Sequence, residues 1–121
     1  HMDATPLFDD CAFLPEWPGL PIGDEEGQII SEALGDKRAI LLSHHGMLVA
    51  AASVEEACVL ALQFERTARM QLLAMSAGTI KPIAPELGRE AHDWILRPRR
   101  SQIGFEYYAR KALKRHTDVF E

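Results

Sequence analysis

Two adjacent histidines, His44 and His45, hold the chemically promising position in this chain: an apolar run, Ala39-Ile40-Leu41-Leu42, leads into them and Gly46 follows at once. Imidazole is the commonest protein metal ligand, and a ligand carried at the end of a buried strand has a rigid support. If both histidines continue the extended backbone, their rings point to opposite sides, so at most one reaches a given ion. The other histidines stand at 1, 92 and 116 and form no i,i+2 or i,i+4 pair, whereas a catalytic zinc takes three protein ligands. Read from the residues alone, two readings stand: both are strand-end histidines bonded to backbone, which is the one favoured, or one of them is a metal ligand. His92, next to Asp93, is expected on a solvated helix face, and His116 in a basic terminus. The acid pairs Asp9-Asp10 and Glu25-Glu26 read as solvated surface, and no Gly-rich phosphate loop or activated Ser/Cys nucleophile is present. His1 is left out of any site argument, since His1-Met2 reads either as a cloning remnant or as sequence around an internal cut.

The elements that must position these residues follow from pattern. Ala39–Ser43 is expected as a strand buried on both faces, and Met47–Ala51 as a second strand. Asp24 is a fair N-cap for a helix running to Leu34, with Ile29, Ile30, Ala33 and Leu34 on one face and Gly35 as its stop. Ser53-Val54-Glu55-Glu56 is a capping box, in which the serine hydroxyl accepts from the Glu56 amide and the glutamate reaches back to the Ser53 amide. The helix it opens should run to Gly78 with Ala57, Ala61, Phe64, Ala68, Leu72 and Met75 along one stripe. Cys58, Leu62 and Leu73 widen that stripe, as in a helix covered on more than one side. Pro85 suits the first position of a helix to about Leu96, with Leu87, Ala91, Trp94 and Ile95 as its apolar face. Pro98 is expected to end it, and a last helix covers Ser101 to about Arg115. Asp3 to Pro21 holds four prolines among Phe8, Phe13, Leu14 and Trp17, so it is expected as an extended segment lying over another surface, with no regular helix.

At 121 residues, with 47% hydrophobic and 26% charged residues, the chain has the size and composition of one ordinary globular domain. A net charge of -5 argues against a nucleic-acid surface, and Arg97, Arg99 and Arg100 make a local patch only. Cys11 and Cys58 have no spacing that suggests a disulfide framework or a metal knuckle. No apolar stretch of membrane-spanning length occurs, so no membrane partner and a cytoplasmic location are expected.

The order of apolar strand, His44-His45-Gly46, strand Met47–Ala51 and helix start Val54-Glu55-Glu56-Ala57 resembles the class II aldolase/adducin family. There the sequence is strand, Asn-His-Gly, strand and Val-Glu-Glu-Ala, and the likeness is densest over residues 35–78. His44 stands where the family has asparagine. The resemblance implies an α/β fold, part of an α/β/α layered domain with a mainly antiparallel sheet. It implies a divalent metal, most simply zinc, with His45 as one ligand and His44 in an orienting position. It also implies a lyase that acts on a small carbonyl or hydroxy-carbonyl substrate through an enediolate, in aldol cleavage, decarboxylation or dehydration. The resemblance further implies a homo-oligomer, a tetramer, in which Tyr107 and Tyr108 are candidates to close over a neighbouring subunit's site. The family's His-x-His pair and acid/base glutamate have no counterpart here. The expectation is therefore a single incomplete domain over 1–121, the C-terminal portion of a longer enzyme and inactive alone: an opening segment (1–22), a helix-strand-strand-helix unit (23–78) and C-terminal helices (79–121). The alternative is a non-catalytic, adducin-like assembly module.

Overall fold

β2, Ala39–Leu42, is the strand around which the rest is built. In the computed structural model, which describes residues 1–16 and 23–118, it is the middle strand of three. β1, Cys11–Leu14, lies parallel to it, with Cys11 opposite Ala39 and Leu14 opposite Leu42. β3, Gly46–Val49, lies antiparallel on the other side, with Leu42 opposite Gly46 and Ala39 opposite Val49. The sheet is thus mixed, where a mainly antiparallel one was expected. The reason is the connection: α1, Glu25–Leu34, lies between β1 and β2 in the chain and packs on both, and a crossover of this kind is what a parallel pair requires. Gly35 ends α1 with its amide on the Ser31 carbonyl, while Asp24 caps the start without a side-chain bond.

Ala39, Ile40 and Leu42 are buried, but Leu41 is 43% exposed. The ladder sets Leu41 between Phe13 and Met47, which are exposed too, so among the described residues the Leu41 face of β2 is covered only at Ala39 and lies open at Leu41. This corrects the expectation of burial on both faces, which followed from composition: an unbroken apolar run has no alternation to show which face lies open.

α2, Val54–Ala77, opens on Ser53, whose Oγ accepts from the Glu56 amide at 3.2 Å. The Glu56 carboxylate reaches the Ala52 amide at 3.3 Å instead of that of Ser53, and its other oxygen lies 3.3 Å from Arg38 Nε. Val59, Leu60 and Phe64 are the buried residues of α2. Leu62, Leu72, Leu73 and Met75 are exposed, so the stripe is buried only in its first half, where the opening segment, β3 and the last helix, residues 98–115, pack on it.

The opening segment departs most from expectation. Met2–Leu7 is a 3₁₀ turn with Pro6 inside it and Thr5 and Pro6 buried, and Thr67 Oγ1 of α2 donates to the Asp3 carbonyl at 3.1 Å. The short 3₁₀ form tolerates a proline that a longer α-helix would not. Among the described residues of this segment β1 is the only strand; Trp17, Pro18 and Pro21 lie outside the described residues. α3, Pro85–Ile95, and α4, Pro98–Arg115, each begin with proline at the first helical position. Pro98 therefore starts α4 three residues before the expected Ser101, because a missing amide costs nothing in the first turn. α3 docks on the opening segment through Gly88, where an added Cβ would lie 2.5 Å from the Phe8 ring. Leu87 and Trp94 of its expected apolar face point outwards, 54% and 48% exposed.

Candidate functional site

The expected histidines sit on the turn that joins β2 to β3. Residues 43–45 form that turn, closed by the His45 amide donating to the Leu42 carbonyl at 3.2 Å. His44 takes a left-handed backbone, φ 62°, and Gly46 a φ of 150°. The two histidines are therefore not in extended backbone, and the argument that their rings oppose each other across a strand does not apply. Asparagine and histidine are among the few non-glycine residues that accept a left-handed φ. That gives the backbone reason why His44 can replace the asparagine of the resembling motif. Both histidines are exposed.

Could this chain hold a metal by itself? Imidazole on a pinned turn is a suitable donor, but among the described residues no group of three His, Cys, Asp or Glu side chains comes together. His45 fits as one ligand of a set; the set is not completed here. Tyr107 and Tyr108 pack edge to face, ring centres 5.2 Å apart, one exposed and the other half-buried. They line a cleft between α2 and α4 that includes neither His44 nor His45.

A second cluster was not read from the sequence. Asp10, 7% exposed, accepts from the Arg38 amide at 2.8 Å and from the Arg38 guanidinium at 2.7 Å. His92 Nε2 lies 3.1 Å from the same carboxylate, and its Nδ1 lies 2.8 Å from Asp93. Arg38 also pairs with Glu56, so one arginine joins the residue before β1 to the first turn of α2. Asp10 is thus buried and His92 half-buried against it, which corrects the surface reading of both. Burial alone would raise the carboxyl pKa of Asp10, but the Arg38 amide, the Arg38 side chain and His92 together outweigh it and hold the group below its ordinary value. A carboxylate so held at neutral pH is a poor proton acceptor, and the cluster acts as a clamp between elements. Its signal lay in β1: a parallel register that sets Cys11 beside Ala39 necessarily brings Asp10 beside Arg38. Asp9, by contrast, is exposed between Arg89 and Lys37. Cys11 and Cys58 are free thiols, and among the described residues no helix is long and apolar enough to cross a membrane.

Comparison with known proteins adds to this geometry. The family model described as Class II Aldolase and Adducin N-terminal domain matches residues 4–72, a span that contains the whole sheet and the His44-His45 turn. The chain is 31% identical over 87 residues to 4-hydroxy-3-prenylphenylpyruvate oxygenase/4-hydroxy-3-prenylbenzoate synthase of Streptomyces roseochromogenus subsp. oscitans, a match covering 72% of this chain and 31% of that protein. It is 30% identical over 87 residues to the decarboxylase NovR of Streptomyces niveus, covering 72% and 32%. Among solved structures, L-fuculose 1-phosphate aldolase from Glaciozyma antarctica PI12 superposes with a TM-score of 0.83 over 100% of this chain and 45% of that one, at 24% identity. The fold is therefore shared, and the chain spans about a third of the length of the curated relatives it matches.

Proposed function

The chain belongs to the class II aldolase and adducin family, and from that premise we propose that it is part of a metal-dependent lyase for a small carbonyl or hydroxy-carbonyl substrate, with His45 as one ligand of a divalent metal. The observation that carries this reading is the turn itself. Inside the family match, the backbone of His45 is pinned to Leu42 and its exposed side chain stands at the end of a three-stranded sheet. The remaining donors would come from elsewhere in the assembled enzyme, since the described residues do not supply them. When bound, a divalent ion, most simply zinc, would act as a Lewis acid toward the oxygens of an enediolate. The chain's own contribution is to position: Gly46 and the left-handed His44 shape the turn, and β2 gives it a buried base. The names of the relatives, a decarboxylase and an oxygenase/synthase, support chemistry at a carbon next to a carbonyl without naming this substrate. A homo-oligomer, a tetramer by the family resemblance, is part of the same proposal.

The test is metal analysis of the intact parent enzyme and of its His45→Ala variant. The parent should carry stoichiometric divalent metal and the variant should lose most of it, with the fold retained by circular dichroism. A variant that keeps metal and turnover refutes the role of His45. One observation favours the second reading, a non-catalytic adducin-like assembly module: the open apolar row of Phe13, Leu41 and Met47 suits contact with further protein. A parent that assembles normally but binds no metal would establish it.

A further inference from the structure

The geometry points to an interface between copies of this chain, in which the outer face of α3 of one copy lies in the groove between α2 and α4 of the next. α3 carries Leu87, Ala91 and Trp94 on one side, at i, i+4 and i+7, the spacing with which an amphipathic helix anchors in an apolar groove. Within the chain α3 docks by its other side, through Gly88 on Phe8. Leu87 and Trp94 therefore stay exposed and border a hollow with Met2 and Ile83, which are exposed too. The Arg100 guanidinium lies 3.4 Å over the Trp94 ring; it holds the largest anchor in place and lowers the ordering cost of docking.

The groove supplies the other half. Leu62, Phe105, Ala109 and Leu113 are its apolar lining, and from Lys111 to the end of α4 every residue is exposed. Charge decides what fits there. α4 has six lysines and arginines and one acid, Glu106, in a chain of net charge -5. Glu106 pairs with Arg110, whereas Lys111 and Arg115, which border the groove, form no ion pair with a described residue. Glu86 and Glu90 of α3 form none either, while Asp93 is held by His92 and Arg97 is the counter-charge at that hollow. Glu86 and Glu90 stand one turn apart, as do Lys111 and Arg115, about 6 Å along each helix axis. Leu87 to Trp94 spans about 10.5 Å of its axis and Phe105 to Leu113 about 12 Å. The anchors and acids of one face thus match the lining and cations of the other in length and spacing. Because the two faces differ, the contact is heterologous: each copy gives one α3 and receives another, and a ring forms where the rotation closes. The inference rests on the homo-oligomer of the proposed function and names the surfaces that meet; it needs neither His45 nor a metal.

The experiment is sedimentation velocity of the 121-residue chain over a range of concentrations, at low and at high salt. Association that grows with concentration and weakens with salt is expected, and Leu87→Glu and Leu113→Glu should each weaken it about tenfold or more. The decisive arm uses two charge-reversed variants, one with Glu86→Lys and Glu90→Lys, the other with Lys111→Glu and Arg115→Glu. Each alone sets like charges against each other and should stay monomeric, whereas their mixture should associate, because every α3 then meets a groove of opposite charge. A wild-type chain that stays monomeric overturns the interface, as does a mixture that associates no better than its components. Association that survives Leu87→Glu and Leu113→Glu but is lost in Phe13→Glu places the contact on the sheet row; it overturns this interface and leaves the homo-oligomer standing. If a variant fails to fold, carbodiimide cross-linking of mixed ¹⁴N and ¹⁵N wild-type chains decides: a link from Lys111 to Glu86 or Glu90 between copies supports the interface, and its absence overturns it.

Discussion

Replacing Asp10 by asparagine should separate the contribution of its charge from that of its shape. The carboxylate receives the Arg38 amide on one oxygen, and the Arg38 guanidinium and His92 on the other. Asparagine is nearly isosteric, but one of its two positions becomes an NH₂ group. Whichever way the amide turns, a donor then faces a donor, either the Arg38 N–H or the Arg38 guanidinium. Loss of a hydrogen-bonded charged contact costs about 1.5–3 kcal/mol. Arg38 is 39% exposed and keeps Glu56 as a partner, so water and the second acid offset part of the loss, and about 2 kcal/mol is expected. For a chain of this length that corresponds to a fall in Tm of roughly 8 °C. The pH dependence adds a second, independent test. Because the folded-state pKa of Asp10 is depressed, its stabilisation is complete above the unfolded value of about 3.9 and is lost as pH falls through the folded value. Urea titrations of wild type and Asp10→Asn from pH 7 down to pH 3 should therefore start about 2 kcal/mol apart and converge on the acid side. A gap under about 0.5 kcal/mol at pH 7, the range of ordinary surface substitutions, or a gap that stays constant to pH 3, would refute the clamp.

Two further predictions concern the segments that hold the histidine turn. Ser53→Ala removes the acceptor for the Glu56 amide and should cost about 1 kcal/mol in urea unfolding; no loss would mean that Glu56, through Ala52 and Arg38, fixes the start of α2 without the cap. At His44, φ 62° makes a β-branched residue unfavourable, so His44→Val should destabilise by about 1–2 kcal/mol while His44→Asn stays close to wild type; equal stability of the two would show that the left-handed turn does not form in solution.

The strands and helices that the pattern of this chain reveals are those whose signals are local. Gly35, the Ser53 box and Pro85 each mark a boundary by chemistry within four residues, and α1, α2 and α3 begin or end where those signals stand. Pro98 carries an equally local signal but an ambiguous one, since a proline both stops the helix before it and opens the helix after it. The strand β1 was hidden because its four residues lie among prolines and make no alternation, and its evidence is the partner strand, 28 positions away along the chain. With β1 unseen, Asp10 and Arg38 had no reason to be neighbours, and His92 had no carboxylate to turn towards. The docking face of α3 was hidden for a different reason. Hydropathy patterns record side chains, whereas α3 approaches Phe8 through the absence of one at Gly88, so Leu87 and Trp94 suggested a face opposite in sense to the one used.

The same distinction bears on the site. Periodicity registers which positions call for cover, and Phe13, Leu41, Met47, Leu72, Leu73 and Met75 all do so, yet all are exposed in this chain. Covering the sheet row or the second half of α2 takes protein beyond what the described residues supply, and so would completing the metal site proposed at His45. On the proposed function, one arrangement would meet both: an assembly in which another stretch of protein packs on the open sheet face and brings donors to the turn at its end.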